Sequence, residues 1–420
     1  MSETTMSASR LAEHRTDFGR FVAKGELQPV YQPIVDIVSG GVVGFEALAR
    51  WPNLYGATPD VVVAAARNNG RTAELDWACR LAALAGAIDF GLGRDHVLFV
   101  NVEPDSLGTP VPPRAVMTLA GAKRGLRVMI ELTERSLARR PAELLRLVEW
   151  ARRHEWGIAL DDVGADPESL ALLPFLAPDV VKLDMTLIRQ RPNPQRAAIM
   201  AAVMAHSERT GAIILAEGIE TPEHLDQALA LGATLGQGWL LGRPGPLVKP
   251  PTPKRPIVRA HPNPPIPATP FTLVAGCERL RIGRKGLLLG LSRHIETQGL
   301  ALPTPPVVLG AFQTAARFTT ATSTRYSGMA ARCPLVAALG LGLAASPAPG
   351  VHGAALSPTD PLVGEWTVTV VGSHYSGALI ARDLGDDGPD HDRRFEFVVT
   401  HDRDLVLGAA RSLMSRITTT

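Results

Sequence analysis

The stretch "GIALDDVGADPESL" (residues 157–170) places two adjacent carboxylates, Asp161 and Asp162, at the end of a short apolar run. A run of this kind is typical of a strand that is buried on both faces of a parallel sheet. A loop with a glycine, a proline and two more acids follows it. The stretch therefore predicts a buried parallel strand that carries acidic side chains to its carboxyl end.

Similar apolar runs recur along the first part of the chain and alternate with helix-like stretches such as "PAELLRLVEWARRHE" (141–155) and "QRAAIMAAVMAHSERTG" (195–211). Alternation of strands and helices builds parallel sheets. Six or more such units in about 220 residues favour a (β/α) barrel over an open sheet. The other runs are "GGVVGFEALARW" (40–51), "VLFVNVEP" (97–104), "VMIELTE" (128–134), "DVVKLD" (179–184), "AIILAEGIE" (212–220) and "TLGQGWLLG" (234–242).

Each apolar run ends in a polar or charged residue. In a parallel barrel all the carboxyl ends of the strands meet on one face, where the active sites of such barrels lie. We therefore expect these side chains to converge in one cavity. They are Glu46, Asn101, Glu131, Asp161, Asp162, Lys182, Glu217 and Gln237.

The strand-end residues have the chemistry of a divalent metal site. So many carboxylates cannot stay ionised together without a cation, because their repulsion raises their pKa values. Oxygen ligands with one amide, and without cysteine or histidine, favour Mg²⁺ or Mn²⁺ over zinc. The surplus of ligands indicates two ions, an arrangement suited to in-line attack on a phosphodiester. Lys182 would hold the attacking water or stabilise charge on the phosphate; the alternative is that it only neutralises the acids.

The motifs that contain these residues resemble the EAL domain family, which comprises cyclic di-GMP phosphodiesterases and inactive relatives that only bind. The resemblance covers roughly residues 21–247 and implies a modified TIM barrel that hydrolyses one phosphodiester bond of cyclic di-GMP to give linear pGpG. The motifs, in chain order, are "QPIV…GFEALARW", "FVNVEPDSL", "ELTE", "DDVG", "VVKLD", "AEGIET" and "QGWLLGRP".

The resemblance also implies individual roles. Glu220 and Gln237 would complete the surroundings of the second ion, and Arg50 would grip a phosphate with its forked donors. Gln32 would line the substrate groove, although an exposed glutamine at a strand edge is an equal alternative. Lys182 would orient the water. Metal coordination would fall to Glu46, Asn101, Glu131, Asp161, Asp162 and Glu217, of which Glu46 and Glu217 are also expected to be essential for catalysis.

The loop after the paired aspartates departs from the family pattern. Active members read close to "DDFGTGYSSL", whereas this chain reads "DDVGADPESL", with Val163, Asp166, Pro167 and Glu168 at the changed positions. Proline removes a backbone donor and restricts the residue before it, so we expect a loop of different shape. In the family this loop couples metal binding to dimerisation through the barrel, and Glu134 would brace it.

Two functions therefore stay open for the barrel. The intact ligand set favours a phosphodiesterase, and the changed loop favours a catalytically inactive receptor that binds cyclic di-GMP, or a protein, through the same cavity.

A proline-rich segment separates the barrel from the rest of the chain. From Pro244 to Pro270, eleven of 27 residues are proline, which excludes helix and central strand and predicts an extended, semi-rigid spacer. A polyproline ligand for a partner's aromatic groove is the alternative. The expected units are an N-terminal tail (1–20), the barrel (21–247), a linker (248–270) and a C-terminal domain (271–417).

The C-terminal domain is expected to be a smaller α/β unit. Residues 306–318 and 325–340 are predicted to be helical, and the segments 365–384 and 393–417 each to begin with an alternating strand. The last segment should end in an amphipathic helix with apolar positions at Leu405, Leu407, Ala410 and Leu413.

The segments "DPLVGEWTVTVVGSHYSGALIARDL" and "RRFEFVVTHDRDLV…AARSL" resemble the DICT sensory domain, which implies sensing of an unknown ligand. Trp366, Tyr375 and Arg394 are candidate pocket residues, and core packing explains Trp366 equally well. The single histidines of this domain are expected to be surface residues or to have satisfied partners.

Composition sets limits on partners and compartment. A formal net charge of +2 gives no electrostatic reason to expect a nucleic-acid polymer as partner. The three cysteines lie far apart, so reduced thiols are expected. The N-terminus has no signal-peptide pattern, and the longest apolar run, 335–345, is too short to span a bilayer. We expect a cytoplasmic protein that does not associate with membranes.

Overall fold

A computed structural model describes most of the 420-residue chain, and the structural statements below concern the residues that it describes. They are residues 18–22, 26–54, 57–103, 106, 108–133, 140–165, 170, 173–190, 193–253, 257, 265–302, 304–387 and 389–417.

The first domain is a closed eight-stranded barrel whose strands follow one another around the ring in chain order. The predicted modified (β/α) barrel is confirmed. The first strand runs antiparallel to both of its neighbours, and the other seven are parallel, a reversal that the run pattern did not predict. The strands are β1 (Gln28–Asp36), β2 (Val42–Arg50), β3 (Val97–Asn101), β4 (Arg127–Thr133), β5 (Gly157–Val163), β6 (Val180–Leu183), β7 (Ile213–Ala216) and β8 (Leu235–Gly236).

Helices cover the outside of the barrel, and local sequence signals fix several of their ends. The helix at 194–210 begins after Asn193, whose side chain accepts a hydrogen bond from the Arg196 amide, and ends at Gly211 in the left-handed conformation. The helix at 222–230 begins after Thr221, which accepts from the His224 amide. The helices are α1 (Phe18–Phe21), α2 (Pro59–Asn68), α3 (Thr72–Phe90), α4 (Ala115–Gly125), α5 (Pro141–Arg153), α6 (Leu173–Leu176), α7 (Met185–Arg189), α8 (Pro194–Thr210) and α9 (Pro222–Ala230).

Two described residues of the proline-rich linker, Pro251 and Ile257, contact the amino-terminal end of the barrel. Ile257 is 4% exposed and belongs to the apolar cluster that fills the barrel interior, together with Ile34 and Phe99. Arg127, at the start of β4, donates to the Ile257 carbonyl over 2.9 Å. A ring nitrogen of His96, just before β3, lies 3.0 Å from the Pro251 carbonyl. These two linker residues therefore lie at the barrel end opposite the strand carboxyl ends.

The C-terminal domain is built on a seven-stranded mixed sheet with the strand order β12-β11-β10-β13-β14-β15-β9. The β10–β11 and β11–β12 pairs are parallel and the others are antiparallel. Its strands are β9 (Arg281–Arg284), β10 (Val307–Thr314), β11 (Leu335–Leu341), β12 (His352–Leu356), β13 (Glu365–Val371), β14 (Ser376–Asp383) and β15 (Arg394–Thr400). Its helices are α10 (Lys285–Leu300), α11 (Thr320–Ala330) and α12 (Arg403–Met414).

Two helix predictions in this domain were wrong. The run at 306–318 forms strand β10, and the run at 325–340 divides into the end of α11 and strand β11. The strand starts at 365 and 393 and the final helix are present. The error has a physical cause: alternate residues of β10 enter different apolar clusters, with Val307 and Leu309 on one face and Val308 on the other. A strand buried on both faces loses its alternation and cannot be told from a buried helix by periodicity.

The proposed pocket residues of the C-terminal domain do not come together. Trp366 is 8% exposed and packs edge-to-face on Phe395 with ring centroids 5.6 Å apart, as core packing predicts. Arg394 is exposed and pairs with Asp386 over 2.8 Å. Trp366 lies near the start of β13, whereas Tyr375 lies beyond the end of that strand and packs on His401. Among the described helices, none has the length and apolarity needed to cross a bilayer.

Candidate active site

The side chain of Lys182 lies at the centre of the acidic residues at the carboxyl end of the barrel strands. Its Nζ atom is 2.6 Å from Glu131 Oε1, 2.8 Å from Glu217 Oε1 and 3.0 Å from Asp161 Oδ1. Glu46 Oε2 lies farther away, at 3.9 Å. Lys182 is only 1% exposed, so these contacts are removed from solvent. The convergence expected from the strand ends is present in the structure.

Strand register places the amide side chains beside Glu46. Gln32 on β1 lies directly opposite Glu46 on β2. Gln237 donates from Nε2 to Glu46 Oε2 over 2.5 Å and to Gln32 Oε1 over 3.2 Å. Asn101 donates from Nδ2 to the other oxygen of Glu46 over 3.3 Å. Both oxygens of this carboxylate are therefore held by amides, and Gln32 is part of the network.

The described part of the chain contains a set of possible metal ligands, formed by Asp161, Asp162 and Glu217. Each offers a ligand atom, and these atoms lie within 4.8 Å of one another. Neighbours on a regular strand point to opposite faces. Here the β5–β6 register shifts between Leu160 and Val163, and Asp162 has a φ of 56°. A bulge of this kind re-aims side chains next to active sites, which explains how both aspartates reach one place.

Burial and mutual repulsion perturb the charges of the site. Burial raises the pKa of Glu131 well above its usual value, and the negative charge of Glu46 adds to this effect. Burial, with the charges of Asp161 and Glu46, raises the pKa of Glu217 to about 8 although Lys182 opposes the shift. Burial alone would lower the pKa of Lys182, but the surrounding carboxylates raise it well above its usual value. The lysine therefore stays charged, while the carboxylates need further positive charge to ionise fully.

An open cavity of about 240 Å³ lies over this cluster, and its lining includes Trp239 and Arg189, which the sequence analysis did not name as site residues. Trp239 is 55% exposed, and the Arg243 guanidinium lies 4.2 Å from its ring centroid. Arg189 pairs with Glu220 over 2.9 Å and donates to the Gly218 carbonyl over 3.0 Å. Glu220 thus lines the cavity but faces an arginine. The aromatic residue directly after "QG" was a usable signal for Trp239; the sequence held none for Arg189.

Gly238, between Gln237 and Trp239, is required by close backbone packing. Its φ is 157°, and a Cβ atom there would lie 2.1 Å from the Ile219 carbonyl oxygen. Ile219 in turn donates its amide to the Gln237 carbonyl over 3.0 Å. The glycine therefore lets Gln237 and Trp239 stand at the cavity.

Two other predicted site residues are Arg50, which lines a different cavity, and Glu134, which the structure does not describe. Arg50 lines a separate cavity of about 190 Å³ with Trp51 and Asp76, and it donates to the Ala49 carbonyl over 2.8 Å. It is therefore a neighbour of the acidic cluster and does not line the cavity over it. Glu134 and the changed loop positions 166–168 lie outside the described residues.

Comparison with protein-family models gives two matches. Residues 15–244 match the EAL domain, and the chain belongs to the EAL domain family. Residues 277–384 match the family described as the sensory domain in diguanylate cyclases and two-component systems, DICT. Both resemblances inferred from the motifs are confirmed. The matched EAL region contains every residue of the acidic cluster.

Individual relatives align with the barrel. The cyclic di-GMP phosphodiesterase RocR of Pseudomonas aeruginosa is 30% identical over 236 residues, which are 55% of this chain and 60% of RocR. The probable cyclic di-GMP phosphodiesterase PdeG of Escherichia coli is 27% identical over 232 residues, 54% of this chain and 46% of PdeG. Klebsiella pneumoniae BlrP1, solved as a manganese and cyclic di-GMP complex at pH 9.0, is 30% identical with a TM-score of 0.47. That match covers 56% of this chain and 66% of BlrP1. This chain therefore spans less than two thirds of the length of RocR and PdeG.

Proposed function

We propose that this protein hydrolyses cyclic di-GMP to linear pGpG with the help of divalent metal ions, and that its C-terminal domain regulates the reaction. The observation that carries the proposal is the set Asp161, Asp162 and Glu217, whose oxygens lie within 4.8 Å of one another beside Lys182. Membership of the EAL family and the phosphodiesterases among its relatives support the choice of substrate.

The residues present fit Mg²⁺ or Mn²⁺. The donor set consists of carboxylate oxygens, which these hard cations prefer. Asp162 is exposed and Glu217 partly exposed, so an ion can reach them from the cavity. Four carboxylates lie within 4.0 Å of a single ammonium group and a fifth, that of Asp162, lies beside two of them, so two divalent cations would cancel the four negative charges that remain. The five are Glu46, Glu131, Asp161, Asp162 and Glu217.

When bound, the ions would supply positive charge beside the scissile phosphate and make a water molecule more acidic. Lys182 would hold that water or the phosphate through its ammonium donors. Gln32 and Gln237, which keep Glu46 in place, stand at the cavity where the substrate would lie. Water attacks one phosphorus atom, the bond to the 3′ oxygen breaks, and that oxygen leaves with a proton.

The test is turnover of cyclic di-GMP by the purified chain with Mn²⁺ or Mg²⁺, with the product resolved by chromatography. Glu217→Gln keeps the shape of the side chain and removes its charge. We expect this variant to lose at least about a hundredfold in kcat/KM, since changes to residues that merely support metal ligands already cost 10–100-fold. The matched control is Glu208→Gln, at an exposed position on α8.

The outcomes separate the two open functions. Formation of pGpG by the native chain and by Glu208→Gln, with loss in Glu217→Gln, supports the phosphodiesterase. Binding of cyclic di-GMP without any product, in the presence of either metal, would establish the catalytically inactive receptor. Absence of both binding and turnover would reject cyclic di-GMP as the ligand.

A further inference from the structure

A small gap lies between the barrel and the C-terminal domain, where α8 faces the start of α12. His206 and Arg209 of α8 line it from the barrel, and Ser373 and Arg403 line it from the C-terminal domain. Its volume is about 10 Å³, close to the smallest that holds one water molecule. The rest of its lining is apolar and consists of Leu170, Leu173, Pro174 and Ala202. We call this space the interdomain gap.

The two arginines of the interdomain gap carry positive charge that its lining does not neutralise. No carboxylate is among the described residues that line the gap, and neither arginine forms an ion pair within the described part of the chain. Burial lowers the pKa of Arg403 to about 10; the charge of Arg209 adds to this shift, and the exposed Asp404 opposes it. Arg403 donates to Ser376 Oγ over 3.1 Å and to the Gly372 carbonyl over 3.2 Å, and both acceptors are uncharged.

His206 brings a hydrogen-bonding group to the same gap. Its side chain lies in a residue that is 2% exposed, and its Nε2 atom is buried without a hydrogen-bond partner among the described residues. A buried polar atom of this kind commonly indicates a bound water molecule or ion. Burial and the charges of Arg209 and Arg403 lower the pKa of His206 to about 3, so the ring is neutral and offers one N–H donor.

The chemistry of the lining favours an anion over water as the occupant. Water would give His206 a partner, but it would leave the two guanidinium charges facing each other. Guanidinium groups have donors and no acceptors, so an anion can accept hydrogen bonds from both and neutralise one charge. Ser373 is 6% exposed, and its hydroxyl lies 2.9 Å from Thr304 Oγ1. When Thr304 donates in this pair, the Ser373 proton is available to the gap as well.

We propose that the interdomain gap binds a single small anion of the size of chloride, which bridges Arg209 of the barrel and Arg403 of the C-terminal domain. The ion removes a repulsion between the two domains and so strengthens their docking. The volume of the gap excludes tetrahedral anions such as phosphate and sulfate unless the domains separate. The gap shares no lining residue with the cavity over the acidic cluster, so its occupancy can be tested whether or not the chain hydrolyses cyclic di-GMP.

The experiment uses the full chain in two salts at equal ionic strength. Sodium chloride supplies the small anion, and sodium gluconate supplies one that is too large for the gap. Chloride binding is followed by the line width of the chloride NMR signal, and docking by amide hydrogen exchange in α8 and α12. Arg209→Gln removes one of the two charges at an exposed position of α8. The matched control is Arg332→Gln, at an exposed position of the C-terminal domain.

We expect the native chain and Arg332→Gln to broaden the chloride signal, and to exchange more slowly in α8 and α12 in chloride than in gluconate. Arg209→Gln should bind chloride at least about tenfold more weakly, the loss expected for one charge-assisted hydrogen bond. In gluconate this variant should exchange no faster than the native chain, because it has lost a repulsion with Arg403.

Two results would overturn the inference. Equal broadening of the chloride signal by the native chain and by Arg209→Gln would leave water as the occupant of the gap. Faster exchange of Arg209→Gln to the same extent in both salts would mean that Arg209 supports the domain contact without an anion.

Discussion

Replacing Lys182 by methionine tests whether this lysine holds the acidic cluster together. Methionine keeps most of the length and apolar volume of the side chain but removes the ammonium group. That group lies within 3.0 Å of oxygens from Glu131, Glu217 and Asp161, at a position with 1% exposure. Without it, these carboxylates face one another in the barrel without a compensating charge.

The expected loss of stability is large. Removal of one partner from a buried ion pair costs about 3–5 kcal/mol, because the other partner keeps its desolvation penalty. The lower end of this range is the better guide, since Glu131 and Glu217 have raised pKa values and can take up protons in the variant. For a domain of 150–250 residues each kcal/mol lowers Tm by about 2–4 °C, so a loss of about 3 kcal/mol should lower the barrel transition by about 6–12 °C.

The assay is differential scanning calorimetry of the full chain in EDTA and in excess Mn²⁺. In EDTA the barrel transition of Lys182→Met should lie far below that of the native chain. Mn²⁺ should raise it by more than it raises the native transition, because the ion replaces the missing positive charge. Lys123→Met, at an exposed position of α4, is the control and should melt like the native chain.

Two results would refute this reasoning. A Lys182→Met transition within about 2 °C of the native one in EDTA would mean that the lysine does not compensate the carboxylates. A variant that is destabilised but gains nothing from Mn²⁺ would mean that the carboxylates do not bind the ion.

Three residues outside the acidic cluster carry further predictions. Trp239→Ala should raise KM for cyclic di-GMP about tenfold with little change in kcat, since base stacking on an aromatic ring is worth about 1–3 kcal/mol. The control Trp239→Phe keeps an aromatic ring and should retain most of the affinity. Ile257→Ala should cost about 2–5 kcal/mol, seen as a lower barrel Tm, whereas the exposed Val248→Ala should not. Burial and the charges of Arg209 and Arg403 lower the pKa of His206 to about 3. Only the unfolded chain can therefore protonate this ring below about pH 6.5, and the free energy of unfolding should be about 2 kcal/mol lower at pH 5 than above pH 6.5. Urea unfolding of the native chain and of His206→Gln at both pH values would show this difference in the native chain only.

The barrel could be predicted because its apolar strands end in polar or charged residues. Runs such as the one ending at Asp161 combine a continuous apolar stretch with a polar terminus, and a parallel barrel brings such ends together on one face. The antiparallel direction of β1 was not predictable in this way, because the pattern of apolar residues carries no strand direction. The C-terminal sheet was harder to predict than the barrel. Strand β10 is buried on both faces, so its composition matches a buried helix as well as a strand.

Within the site, the sequence indicated the members of the acidic cluster but not their partners. Lys182 was predicted as a strand-end residue, yet its contacts with three carboxylates depend on the curvature of the closed barrel. Arg189 reaches Glu220 from a short helix that no periodicity distinguishes. The packing of Ile257 into the barrel interior depends on where the linker passes, which a proline count does not encode.

The changed loop also has a structural context that bears on activity. In the sequence, the altered positions 166–168 lie between two anchors that match the family pattern, Gly164 on one side and the buried Leu170 on the other. Gly164 has a φ of 104°, and a Cβ atom there would lie 2.5 Å from Leu187, so this anchor tolerates little change. Because Gly164 stands two residues from Asp162, we expect the candidate ligands Asp161 and Asp162 to keep their positions in spite of these substitutions. Activity should then depend on whether the anchors hold, and one of them, Leu170, is itself part of the contact with the C-terminal domain.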